Sequence, residues 1–411
     1  LARDQTILEF SLFLTHAIKD FPDTDCFKTM AFLPPKDTDR FGYYITLLSS
    51  LRVEDNLCSA IDVLMTSPVS DNFGIWESEL WRRIAIILTE QDELDALFGT
   101  GCQYFDFVEQ RLDNQTIIEA VPDVIEAFFV GLHNAEKVSN FAKLAERLTK
   151  ITESISQDGY LATSCIEAYQ RLAIHYARAN DLKGVRGSWK IMVLYTNRFP
   201  GNVDNGRIVS EIAEQLCDWY LERGAVGRVA RIINEIRTLY YECKTTEIAE
   251  VLAVLEANAY FRYKKGEDDS INIDEKMMSS KNCVSLLYET HHESERVILA
   301  YSSILADIFM DQAYFQSPVT IEDCERFRDW KSKCPNYKLE MSEHYCRVLF
   351  ARYSYLRGIG EESKARSILN EMRGIGRELS RDFGENDVAD MVEFMLSVPG
   401  RTSLFSPKTL K

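Results

Sequence analysis

The sequence predicts an all-α fold, an α-solenoid of about eight antiparallel helical hairpins. Three observations carry that expectation. Apolar residues recur at three and four positions along almost the whole chain, and no alternating run of useful β-length interrupts them. Only ten prolines occur in 411 residues, and they read as punctuation between helical stretches. A two-helix template then repeats with a period near 44 residues.

The template is clearest in YQRLAIHYARANDLKGVRGSWKIM, Tyr169 to Met192. Tyr169, Leu172, Ala173 and Tyr176 form one stripe, and Asn180, Asp181 and Gly184 favour a turn or cap. Val185, Trp189 and Met192 form a second stripe. Two short helices with facing stripes make an antiparallel hairpin, with the small Ala173 admitting close approach. The same order recurs as Ala213, Leu216, Cys217 and Tyr220, then Gly224, then Val229, Ile233 and Ile236. Tyr44, Leu47, Leu48 and Leu51 precede Asp55, Ala60 and Leu64. Leu349, Phe350 and Tyr353 precede the turn RGIGEES and then Ala365, Leu369 and Met372. Followed through the chain, the first-helix anchor falls at Leu51, Leu88, Leu132, Tyr176, Tyr220, Tyr263, Phe309 and Tyr353.

One hairpin cannot bury its own apolar face, but stacked neighbours can. Residues 1–398 therefore read as one continuous array with an irregular start over 1–40. KKGEDDSINIDEKMMSSKN, residues 264–282, reads as an acidic insertion forming a solvated loop before a short helix. Residues 399–411 read as a flexible tail.

The packing pattern resembles the tetratricopeptide repeat. Tyr169, Leu172, Ala173, Tyr176, Val185 and Trp189 occupy that family's large, large, small, large, small and large positions. Ala213, Leu216, Cys217, Tyr220, Val229 and Ile233 do so in the next unit. The period exceeds that family's usual 34 or so and lies nearer to HEAT-type repeats. The resemblance implies a superhelix whose first helices line a concave groove that holds a protein or peptide. On that reading the groove positions are Glu167, Gln170, Ile174 and Arg178, then Glu211, Glu214 and Asp218, then His344, Arg347 and Ala351. Trp219 lies one residue off the core stripe and is expected to be partly exposed beside them. Glu211, Glu214 and Asp218 share one helical face, which suits a basic or amphipathic segment.

Charge and motifs narrow the function. The net charge of −17, from 47 basic and 64 acidic residues, opposes direct binding to nucleic acid. No apolar run approaches the ~20 residues of a membrane span. The ten cysteines are scattered among apolar residues with no C-x-x-C pair, which favours free thiols in a reducing cytoplasmic or nuclear setting. The sequon Asn114-Gln115-Thr116 is accordingly expected to stay unmodified. The chain begins with Leu1 rather than Met, and the expectation is an excised segment of a longer protein, or a processed or partial chain. No H-E-x-x-H, G-x-S-x-G or Walker loop is present, and GIGEESK reads as a hairpin turn. His291 and His292 point about 100° apart on a helix, so they do not converge. Cys324, Cys334, His344 and Cys346 lack zinc-knuckle spacing, and GEDDSINIDE lacks the central glycine and closing glutamate of a calcium loop. The expectation is a non-enzymatic interaction scaffold or adaptor without cofactor or metal. The alternatives are a ligand- or peptide-sensing regulatory domain of a larger protein and, further off, an all-helical enzyme.

Overall fold

The computed structural model describes residues 61–62, 64–65, 74–134, 137–155, 159–199, 202–266, 272–314 and 318–383. Cys26, Cys58, the hairpin around Leu51, the start over 1–40, the centre of the acidic segment and the tail over 399–411 lie outside them. The fold is all-α, and the described residues hold no strand. Fourteen α-helices follow one another between Gly74 and Phe383. They are α1 (Gly74–Glu90), α2 (Leu94–Glu109), α3 (Gln115–Asn134), α4 (Val138–Ser154), α5 (Gly159–Arg178), α6 (Leu182–Arg198) and α7 (Val203–Leu221). Then come α8 (Val226–Cys243), α9 (Thr246–Lys264), α10 (Ile273–Thr290), α11 (Glu295–Tyr314), α12 (Ile321–Lys333), α13 (Lys338–Gly358) and α14 (Glu362–Phe383).

The chain clusters into two compact units, Leu1–Val209 and Ser210–Lys411, with the division inside α7. In the first, α1 packs on α2 and α3, α3 on α4 and α5, α2 on α4, and α5 on α6. In the second, α9 packs on α8, α10 and α11, and α11 on α10, α12 and α13, while α13 also carries α14. Within the two units α1, α3, α9 and α11 thus each touch their own partner and the first helix of the next hairpin, which is the packing of a helical repeat.

The period is written in the bonds between hairpins. Arg171 donates to Glu126 across 45 residues, Ser294 to Glu250 across 44 and Lys264 to Asp307 across 43. The helix ends repeat too. The carbonyls of Leu88, Leu132, Tyr176 and Tyr220 accept from the N–H groups of Glu93, Lys137, Asp181 and Ala225 at 2.8–3.0 Å. These four carbonyls are the anchors expected from sequence, and each bond closes a first helix by the same six-to-one cap. In the last hairpin the cap falls on Leu356, whose carbonyl accepts from Glu361, rather than on Tyr353. The turns place Asp92, Asn180, Gly224 and Gly360 at positive φ, as that cap requires.

Tyr169, Leu172, Ala173, Val185, Trp189 and Met192 are buried. The closest approach in that hairpin comes from Gly184 as much as from Ala173. A Cβ at Gly184 would lie 2.4 Å from Cγ of Tyr176, whose ring rests on the bare backbone.

Two expectations change. Pro122 lies inside α3 rather than between helices; buried Ile118, Val121, Val124 and Ile125 hold the helix on both sides of the missing donor. The segment over 264–282 is mostly helical, because α10 begins at Ile273 and runs 18 residues as the second helix of its hairpin. Asn114 of the sequon is 3% exposed, and its Oδ1 accepts from the Ile117 N–H as the cap of α3. Its amide is therefore not presented for glycosylation.

Candidate interaction surface

The expected groove residues divide between the units. On α5, Glu167 and Gln170 are half-buried and Arg178 is exposed. Burial, then the neighbouring Glu126, raises the Glu167 carboxyl above the ordinary range. On α7, Glu211 and Asp218 are exposed while Glu214 and Trp219 are half-buried. The acidic face is only partly open. Glu214 accepts two bonds from Nη2 of Arg296 on α11, at 2.9 and 2.7 Å. This pair joins helices 82 residues apart and neutralises the centre of the acidic trio. Partial burial, then Glu214 and Glu222, raises the Asp218 carboxyl above its ordinary range.

Trp219 is not a bare anchor. The Arg223 guanidinium lies 4.2 Å from its ring centroid, and Arg223 Nη1 also donates to the Trp219 carbonyl at 2.9 Å. On α13, Arg347 pairs with Glu343 one turn earlier. His344 and Ala351, expected beside it on the groove, are buried instead. His344 Nδ1 meets the Ser302 hydroxyl of α11 at 2.9 Å, so this face of α13 seals the seam between hairpins.

A surface that the sequence reading missed lies between α8 and α10. Tyr241, Met278 and Leu286 are 59%, 53% and 56% exposed. They line a groove of about 490 Å³ together with Arg237, Asn282 and Cys283. Met278, Asn282 and Leu286 recur every fourth residue and share one face of α10. The opposite face supplies buried Ser280, Val284 and Leu287. The signal was present as two apolar stripes in one short stretch, but reading the stretch as a loop hid the second.

An ion pair lies under the groove. Glu256 of α9 is fully buried, and Arg237 of α8 donates Nε to its Oε1 at 3.0 Å, with Nη2 also bonded. Burial first, then Glu256, pushes the Cys283 thiol up to about 12, so it stays protonated. Cys165, Cys217 and Cys346 are likewise held near 12 by burial. The eight described cysteines are free. Among the described residues, no three His, Cys, Asp or Glu side chains converge as metal ligands, and no helix is long and apolar enough to cross a membrane.

Comparison with known proteins gives no matching family model, and no curated protein matches the chain.

Proposed function

We propose that the chain is a non-enzymatic interaction scaffold whose α8–α10 groove receives an apolar-faced segment of a partner protein. One observation carries this reading. Three large apolar side chains, each more than half exposed, surround one groove instead of being scattered singly over the surface. Covering their exposed halves would contribute roughly 2–5 kcal/mol. Association itself costs a comparable or larger amount, so these residues act as central anchors within a wider contact. The free thiols suit an intracellular, cytoplasmic or nuclear setting.

The test compares the wild-type chain with a Tyr241→Ser, Met278→Ser, Leu286→Ser triple variant. Because all three side chains are exposed, the variant is expected to melt with the wild type. Affinity capture by the wild type is expected to return a stoichiometric protein partner that the variant loses. A second variant, Glu211→Lys with Asp218→Lys, addresses the acidic face of α7 and leaves the Glu214–Arg296 pair intact. If the triple variant retains the partner, the α8–α10 groove is not the site. Loss only in the charge-reversed variant would move the site to α7.

A further inference from the structure

The chain has six histidines. Of the five described, His292 is exposed beside Glu293. The other four each bond across a seam between successive hairpins. His291 meets the Tyr240 hydroxyl at 3.0 Å, and His344 meets Ser302 at 2.9 Å. In the first unit two histidines meet each other. His175 Nε2 of α5 lies 2.9 Å from His133 Nδ1 of α3, 42 residues away, with the rings nearly perpendicular. His175 is only 8% exposed.

An N···N bond of this length needs a lone pair on one ring. Two neutral imidazoles, or one neutral and one charged, supply it; two imidazolium ions do not. We propose that the His133–His175 bond makes the α3–α5 seam proton-sensitive: a second proton on the pair removes the acceptor and loosens the packing of these two hairpins. The surroundings favour that outcome. Arg171 and Arg178 of α5 and Glu126 of α3 are the charged groups acting on His133, and Arg171 already holds Glu126 at 2.6 Å. From α4 the Phe141 ring faces His133. From α1 the uncharged Thr89 meets the neighbouring Gly131. Asp204 and Arg207 of α7 act on Glu167.

The direction follows. Burial first, then His175, lowers the affinity of His133 for a proton below its ordinary value. As pH falls through the usual histidine range the unfolded chain takes up protons before the folded one does. Stability at the seam is therefore full above that range and is lost on acidification. Glu167, raised by burial, has the opposite sign and cannot produce the loosening.

The test is backbone hydrogen exchange of the whole chain between about pH 7.5 and about pH 5.5, corrected for intrinsic rates. Amides at the facing parts of α3 and α5 are expected to gain about tenfold in exchange relative to those of α2, the factor that one unit of proton linkage supplies. In His133→Gln, which keeps a neutral bonding group, that gain is expected to vanish; in His292→Gln it should persist. No gain in the wild type, or an equal gain in His133→Gln, overturns the proposal. Histidine-selective NMR of the wild-type chain gives a reading independent of the variant's folding. Coupled titration of His133 and His175, with one step displaced below the ordinary range, is expected. Two independent ordinary titrations would count against it.

Discussion

The hairpins α5–α6 and α9–α10 both follow the repeat, but their second helices turn opposite chemistry to solvent. In α5–α6 the second helix is wet along one side, where Lys183, Arg186, Lys190 and Leu194 are exposed, and buried along the other, where Val185, Ser188, Trp189 and Met192 lie. In α9, Val251, Leu252, Ala253, Leu255, Glu256 and Ala257 are all buried, and the wet side narrows to a line through Glu247, Glu250, Val254 and Asn258. Its partner α10 is the reverse, with Ser280, Val284 and Leu287 buried and large apolar side chains left outside. Periodicity marks a helix only when one side is wet. The comparison also separates two kinds of core: one held by shape, the other containing a buried charge.

The largest expected effect breaks that second core. Arg237→Ala would leave the fully buried Glu256 carboxylate without its cation. Removing one partner of such a pair costs about 3–5 kcal/mol. Replacing both, as Arg237→Met with Glu256→Leu, should recover most of the loss because the buried charge then disappears. Urea unfolding of the three chains decides the matter. A single variant within about 1 kcal/mol of wild type would mean that water reaches Glu256 and that the pair behaves like a surface one.

The same contrast explains what the sequence could and could not reveal. Leu88, Leu132, Tyr176 and Tyr220 were legible as anchors because each ends a helix with one apolar face, and their carbonyls all take the same cap. Tyr353 was placed one turn early because Leu356, three residues on, also fits the stripe and is the residue that receives the cap. The segment from Ile273 was misread because charged and hydroxyl residues on the exposed face of α10 look like loop composition. The candidate site was less legible than the fold. Glu214 reads as an open acid on α7, yet its partner Arg296 lies 82 residues away, beyond any local pattern. His344 sits at a groove position by spacing, but the hydroxyl that buries it belongs to the neighbouring hairpin. Local spacing sets the face of a helix; what covers that face is decided by a residue far along the chain.

A smaller effect tests the core held by shape. Gly184→Ala would place a methyl group against the Tyr176 ring, and overpacking of this kind costs about 1–3 kcal/mol. Gly187 lies one turn away on the same helix with open space around it. Gly187→Ala should instead stabilise by roughly 0.5–1 kcal/mol, since alanine is the better helix former. Combining Gly184→Ala with Tyr176→Ala should remove the clash. Thermal melts in which both glycine variants shift the same way would show that the ring moves aside freely and that the close approach is incidental.

The smallest effect compares how the two hairpins start a helix. Asp181 caps α6 by accepting from the N–H groups of Lys183 and Gly184, each at 3.0 Å. Thr245 caps α9 through a single longer bond, from the Ile248 N–H at 3.4 Å. Losing a cap costs about 1 kcal/mol on average, with more expected where two donors are satisfied by a charged oxygen. Asp181→Ala should therefore destabilise more than Thr245→Ala, and Asp181→Asn should fall between wild type and Asp181→Ala, because it keeps the acceptor and drops the charge. Added salt should narrow the gap between Asp181 and Asn by screening the interaction with the helix dipole. If Thr245→Ala proves the costlier change, the buried surroundings of α9 outweigh cap geometry, and the exposed start of α6 is held by the packing of Val185 and Trp189 instead.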